Sequence, residues 1–204
     1  MRIVRRAITA VLLSSAVAAA VTWSAASADP NPAGNLIVPN GAVSTPYTSV
    51  RVDVATRLSY EKLVENFSAQ VPQINLDAYR ALVARRAPWS EVVAEAKRQA
   101  GPVGFVWFEQ LISCAVFDLA PGFSAKCIVY TVGDPALAET MVSYDTRAVA
   151  YLPTKFLLYS DSKGRGHVVY VLPSSSIGAL KPSRRAQARK VDRRFKNLVD
   201  RISR

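Results

Sequence analysis

KFLLYSDSKGRGHVVYVLP, residues 155–173, is the stretch whose reading decides the fold. KFLLYSD (155–161) and HVVYVLP (167–173) are rich in β-branched and aromatic residues and flank SKGRG, a short loop with two glycines. That arrangement predicts a β-hairpin. GFVWFEQLI (104–112) and AKCIVYTV (125–132) share the composition and predict two more strands. YTSVRVDVAT alternates apolar and polar residues at Val50, Val52 and Val54, as a half-buried first strand does.

Helical stretches fill the spaces between these strands. Ser59 can cap a helix that carries Tyr60, Leu63, Val64 and Phe67 on one face. Asn75 can cap a second with Tyr79, Leu82 and Val83. A third opens at Pro88, shows Trp89, Val92, Val93, Ala96 and Ala100 on one face, and stops at Gly101-Pro102. A further helix is expected from Pro135, with Asp134 as its cap. Asp145 reads as a turn former, and Arg147 can pair with either aspartate. Each stripe needs an apolar surface, and the strands supply one. The expected fold class is α+β, a mainly antiparallel sheet with helices on one face.

The N-terminus, MRIVRRAITAVLLSSAVAAAVTWSAASADP, has a basic start, an apolar centre and small residues ending in Ala26-Ser27-Ala28. This is the layout of a secretory signal peptide, which places residues 1–28 in the signal and the mature start at Asp29. The apolar centre is too short for a comfortable membrane span, and Arg5-Arg6 lacks the flanking residues of a twin-arginine signal. Residues 29–46 form a Pro/Gly/Asn-rich linker, and 47–180 form one folded domain. The expected location is extracytoplasmic, secreted or in the cell envelope.

Charge is concentrated in one segment. The chain has 26 Lys and Arg against 15 Asp and Glu, and Arg2, Arg5 and Arg6 leave with the signal, so the mature chain carries +8. Residues 181–204, KPSRRAQARKVDRRFKNLVDRISR, hold ten basic and two acidic residues, which is also +8. The remainder of the mature chain is therefore neutral.

That tail has helical spacing. Val191, Phe195, Leu198 and Ile202 form one stripe, Arg189, Arg193 and Lys196 fall opposite, and Arg194 and Arg201 flank the stripe. Ser183 is the expected cap, and Asp192–Lys196 and Asp200–Arg204 are the expected i,i+4 pairs. The stripe can dock on the domain or on a second subunit. The basic residues Arg189, Lys190, Arg193, Arg194, Lys196 and Arg201 can instead meet an anionic envelope component, phospholipid or acidic wall polymer. Nucleic acid is not an expected partner, because no aromatic stacking pattern accompanies the charge and export removes the usual target.

Three segments carry a family resemblance: GDPALAETM (133–141), DTRAVAYLPTKFLLYSD (145–161) and PSSSIG (173–178). With APWSEVVAEAKRQAGPVGFVWFEQL before them, the chain resembles the long form of the bacterial domain of unknown function 302 over residues 48–178, which leaves the tail outside. The resemblance implies a sheet similar to that of the TATA-box-binding protein, frequent dimers and no established activity. A homodimer is accordingly an expected partner. Many members of that family carry an Asp-His pair after the second strand. Here Ile112-Ser113 stand in its place, so no role of that histidine carries over.

The chemistry that remains is sparse. One histidine and two cysteines do not fill the usual zinc sets, and no H-E-x-x-H, C-x-x-C, G-x-S-x-G or phosphate-loop spacing occurs. No catalytic residue, metal ligand or cofactor is assigned. His167 reads as a strand residue without a partner motif. Cys114 and Cys127 can face each other across a hairpin, or, on the family pattern, bridge a short helix to the neighbouring strand. Export favours a structural disulfide. The expected protein is an exported, non-catalytic binding protein held at the envelope by its tail. The alternative is an enzyme or thiol-redox protein using the cleft between sheet and helices with Cys114 and Cys127.

Overall fold

The computed structural model describes residues 39–111 and 114–204. The expected signal peptide, most of the linker and Ile112-Ser113 lie outside the described residues. The chain divides after Pro46. Of the lead-in, residues 39–46 are exposed and hold one turn, in which Ala42 N–H donates to the Pro39 carbonyl at 3.0 Å.

Residues 47–204 build one antiparallel sheet from β1 (Arg51–Ser59), β2 (Val106–Leu111), β3 (Cys127–Gly133), β4 (Thr154–Ser160) and β5 (Arg165–Val171), in the order β1-β5-β4-β3-β2. The β4–β5 hairpin registers Phe156 opposite Tyr170 and Tyr159 opposite His167. Its turn is held by Asp161, whose Oδ1 accepts from the Lys163 and Arg165 N–H groups at 2.8 and 2.9 Å. Gly164 takes φ +75° there, a conformation costly for residues with a Cβ.

The helices are α1 (Tyr60–Gln70), α2 (Leu76–Ala84), α3 (Trp89–Gln99), the short α4 (Cys114–Phe117), α5 (Pro135–Val142), α6 (Pro173–Leu180) and α7 (Arg185–Ile202). Three of the four side-chain caps expected from the sequence are in place. Ser59 accepts from Lys62 N–H, Asn75 from Asp77 and Ala78, and Asp134 from Ala136 and Leu137. Asp145 caps a 3₁₀ turn at Thr146–Tyr151 and pairs with Arg147 at 2.7 Å.

One face of the sheet carries the core. Phe156, Leu158, Val168, Tyr170, Tyr130 and Val132 point to it and are buried. Leu63 and Phe67 of α1 lie on this layer, with Phe67 stacked on Tyr130 at 4.4 Å between ring centroids. A Cβ on Gly166 would stand 2.8 Å from a Leu63 methyl, so this glycine lets α1 close on β5. The alternate residues Asp53, Leu157, Tyr159, His167 and Val169 face the other side, as strand periodicity requires.

Several expectations need correction. PSSSIGAL, for which the sequence reading assigns no helix, forms α6, with Pro173 in the first turn and Ser176, Ile177 and Gly178 buried. Three serines in a row hide a helix whose stability comes from packing on α7. The stripe Tyr79, Leu82, Val83 is not core: α2 buries no residue and leaves Val83 76% exposed, because α2 packs along α3 and presents its other side to solvent. Ser183 does not cap the tail helix. A 3₁₀ turn over Pro182–Arg184 precedes α7, which starts at Arg185 without a side-chain cap.

Candidate functional site

The last helix is the natural starting point, since it holds the charge. Over eighteen residues α7 buries Ala188, Val191, Phe195, Leu198, Val199 and Ile202. The Phe195 ring, 0% exposed, lies 4.7 Å from the Phe105 and Phe156 rings and 5.7 Å from Tyr170. The stripe thus docks on its own domain, against the sheet and α6.

The basic residues divide by position. Arg189, Lys190, Arg193 and Arg201 are exposed and have no ion-pair partner among the described residues. Arg194 is different: its Nη1 donates to Asp134 Oδ2 at 2.8 Å, which ties α7 to the N-terminus of α5. Lys196 pairs with Asp200 at 2.6 Å rather than with Asp192. Asp192 instead accepts from the Ser174 N–H at 3.1 Å, in the first turn of α6. Arg184 lies over the Tyr144 ring, 3.0 Å from its centroid, a cation–π contact at the base of α7.

Cys114 and Cys127 lie at disulfide distance, with Cα atoms 5.2 Å apart. Cys114 opens the short α4 and is 6% exposed, while Cys127 begins β3. Of the two geometries the sequence allowed, the helix-to-strand one is present. The segment it anchors exposes Val116, Phe117, Leu119 and Phe123, and the two phenylalanine rings are 5.8 Å apart.

The open face of the sheet gathers a polar cluster that sequence reasoning missed. His167, its side chain 14% exposed, lies 3.5 Å from Asp53 through Nδ1 and 3.4 Å from Asp161 through Nε2. The Tyr159 ring stacks on it at 4.7 Å. Backbone N–H donation from Arg165, helped by its guanidinium and the Lys163 N–H, holds the Asp161 carboxyl well below the usual carboxylate range. Desolvation and then the Asp53 charge push the Tyr159 phenol up. The Tyr159–His167 contact follows from hairpin register and was within reach of the sequence. Asp53 arrives through β1–β5 pairing and was not. No group of three or more His, Cys, Asp and Glu suited to a metal occurs among the described residues.

Residues 82–202 match the family model for domain of unknown function DUF302. The chain belongs to the DUF302 family. A structural neighbour is the crystal structure of an uncharacterized conserved DUF302 protein from Bacillus stearothermophilus, at 15% identity and a TM-score of 0.53, covering 76% of this chain and 98% of that one. That likeness bears on the fold alone. No curated protein matches this chain. The DUF302 match runs through Ile202, so α7 falls inside the family region; the resemblance read from the sequence ended at residue 178 and had left it outside. In this chain α7 supplies a layer of the domain's core.

Proposed function

We propose that this DUF302 protein is an exported, non-catalytic binding protein that associates with an anionic component of the cell envelope through the exposed face of α7. The observation that carries this reading is the division of labour on one helix. With Val191, Phe195, Leu198 and Ile202 buried in the domain, what α7 offers a partner is a set of exposed cations, Arg189, Lys190, Arg193 and Arg201, with no ion-pair partner among the described residues. Such a face attaches by charge and does not insert an apolar side into a bilayer. The signal-like N-terminus supports a location outside the cytoplasm, where phospholipid headgroups and acidic wall polymers are the abundant polyanions. In this reading the Cys114–Cys127 pair is a staple, because the buried Cys114 sulfur is poorly placed to meet a redox partner.

Each Lys or Arg near an anionic surface contributes about 1 kcal/mol, so Arg189→Gln, Lys190→Gln and Arg193→Gln together remove about 3 kcal/mol, a loss of more than about a hundredfold in affinity. The test is sedimentation of the chain beginning at Asp29 with phosphatidylglycerol vesicles and with isolated cell wall. The expected result is pelleting that high salt reverses and the triple variant lacks. Equal pelleting of the triple variant and the unmodified chain overturns the reading.

A further inference from the structure

Between α5, α7 and the β2–β3–β4 end of the sheet lies a half-open cavity of 220 Å³. Its walls are apolar, chiefly Phe108, Leu137, Ala138, Met141, Val191 and Phe195. Protein interiors seldom keep voids larger than a water molecule, and large apolar cavities take up apolar guests in place of water.

The walls are shaped by backbone devices. The β2–β3 register shifts between Trp107 and Glu109, which leaves Phe108 as the extra residue of a bulge, and Thr131 Oγ1 accepts from the Glu109 N–H at 3.0 Å. Bulges re-aim side chains, and this one turns Phe108 to the cavity. A Cβ on Gly133 would stand 3.3 Å from the Phe108 ring and 3.4 Å from Pro153, so the bare backbone there leaves the ring its place.

The rim differs from the walls. Only Asp134 and Thr154 bring polar side chains to the lining. Both oxygens of Asp134 are occupied, Oδ1 by the α5 cap and Oδ2 by Arg194. Arg194 follows the lining residue Val191 by three positions; its side chain is 43% exposed, and its guanidinium has donors left beyond the one given to Asp134. An apolar hole with a cationic edge suits an amphiphile with a negative head.

We propose that this cavity binds a single acyl chain carrying an anionic head, with the chain against Phe108, Met141 and Phe195 and the head at Arg194. A cavity of 150 Å³ holds benzene, so by proportion 220 Å³ accommodates about nine carbon atoms. The chain can come from a free carboxylate or from an anionic phospholipid. This site is separate from the outward row Arg189, Lys190 and Arg193, and its test needs no surface.

The experiment titrates the chain beginning at Asp29 with decanoate below its micelle concentration, with decan-1-ol as the uncharged comparison. Binding is followed by calorimetry and by the methyl resonance of Met141, which needs no variant because Met1 precedes Asp29 and the chain has two methionines. The expected result is saturable one-site binding that shifts the Met141 methyl, with decanol weaker by about tenfold, the worth of one charge-assisted hydrogen bond. Arg194→Gln is expected to bring decanoate down to the level of decanol. Ala138→Phe, which places a ring in the void, is expected to abolish binding of both. A Met141 shift with phosphatidylglycerol vesicles as well assigns the lipid source, and a shift with decanoate alone assigns the free carboxylate. Absence of saturable binding, or binding that leaves the Met141 methyl unmoved, overturns the site. Equal decanoate affinity in Arg194→Gln and the unmodified chain overturns the assignment of the head.

Discussion

Replacing Phe195 by alanine tests whether α7 is a layer of the core or an appendage resting on it. The ring is fully buried and touches three aromatic neighbours, Phe105, Phe156 and Tyr170. Phe→Ala in a packed core costs about 3–5 kcal/mol, and aromatic pairs contribute about 0.5–1.5 kcal/mol each beyond buried area. Phe195 also lines the 220 Å³ cavity, so its removal enlarges an existing void that the surroundings already fail to fill. The upper half of the range, about 4–5 kcal/mol, is the expected loss. With a urea slope of about 2 kcal/mol/M, that moves the unfolding midpoint by about 2 M. Urea titration followed by circular dichroism measures it, with Val83→Ala as the control, since Val83 is exposed. A Phe195→Ala midpoint within about 0.5 M of the unmodified protein, at unchanged slope, refutes the assignment of α7 to the core.

Two further predictions concern the remaining chemistry. Reduction of the Cys114–Cys127 pair, or replacement of both by serine, is expected to cost about 3 kcal/mol and lower the melting temperature by about 6–12 °C in calorimetry. Equal melting with and without reductant refutes a stabilising role. Asp161 has a folded pKa held below its unfolded value near 3.9 by the Arg165 and Lys163 N–H groups and the Arg165 side chain, so the unfolded chain binds more protons between the two values. Its contribution to stability is complete above about pH 5 and is lost progressively as pH falls through the unfolded value toward the folded pKa. Asp161→Asn is therefore expected to flatten the acid limb of a urea-midpoint profile between about pH 2 and 5, and an unaltered limb refutes this.

What could be read from the chain was what is local. Ser59, Asn75 and Asp134 announce helix starts within three residues of themselves, and the two halves of 155–173 announce a hairpin through composition and a glycine-bearing loop. The α7 stripe was legible for the same reason, because spacings of four and three are a property of the helix itself. What escaped reading depends on residues far apart. The order β1-β5-β4-β3-β2 brings Asp53 to His167, and no local pattern in either strand encodes it. The cavity needs β2, β3, α5 and α7 to converge, and its bulge is visible only in the β2–β3 register. α6 escaped because Ser174, Ser175 and Ser176 carry the local signature of a loop, while Asp192 of α7 accepts from the Ser174 N–H and steadies the first turn.

The two faces of α7 also determine which experiments can speak to function. Residues 181–204 look like a detachable basic tail when only their charge is considered, and removing them would seem the direct test of surface binding. Their apolar side, however, supplies Ala188, Val191, Phe195, Leu198, Val199 and Ile202 to the core and covers Phe156 and Tyr170. A chain ending at Leu180 would expose that layer to water, so any loss of binding would report unfolding as readily as loss of charge. Substitution at Arg189, Lys190 and Arg193 changes the charge and leaves the layer in place. Arg194 belongs to neither set, since its pairing with Asp134 holds α5 against α7 at the mouth of the cavity. One helix therefore separates three roles by angle: a buried face that completes the fold, an outward row available to a polyanion, and an edge that borders the cavity.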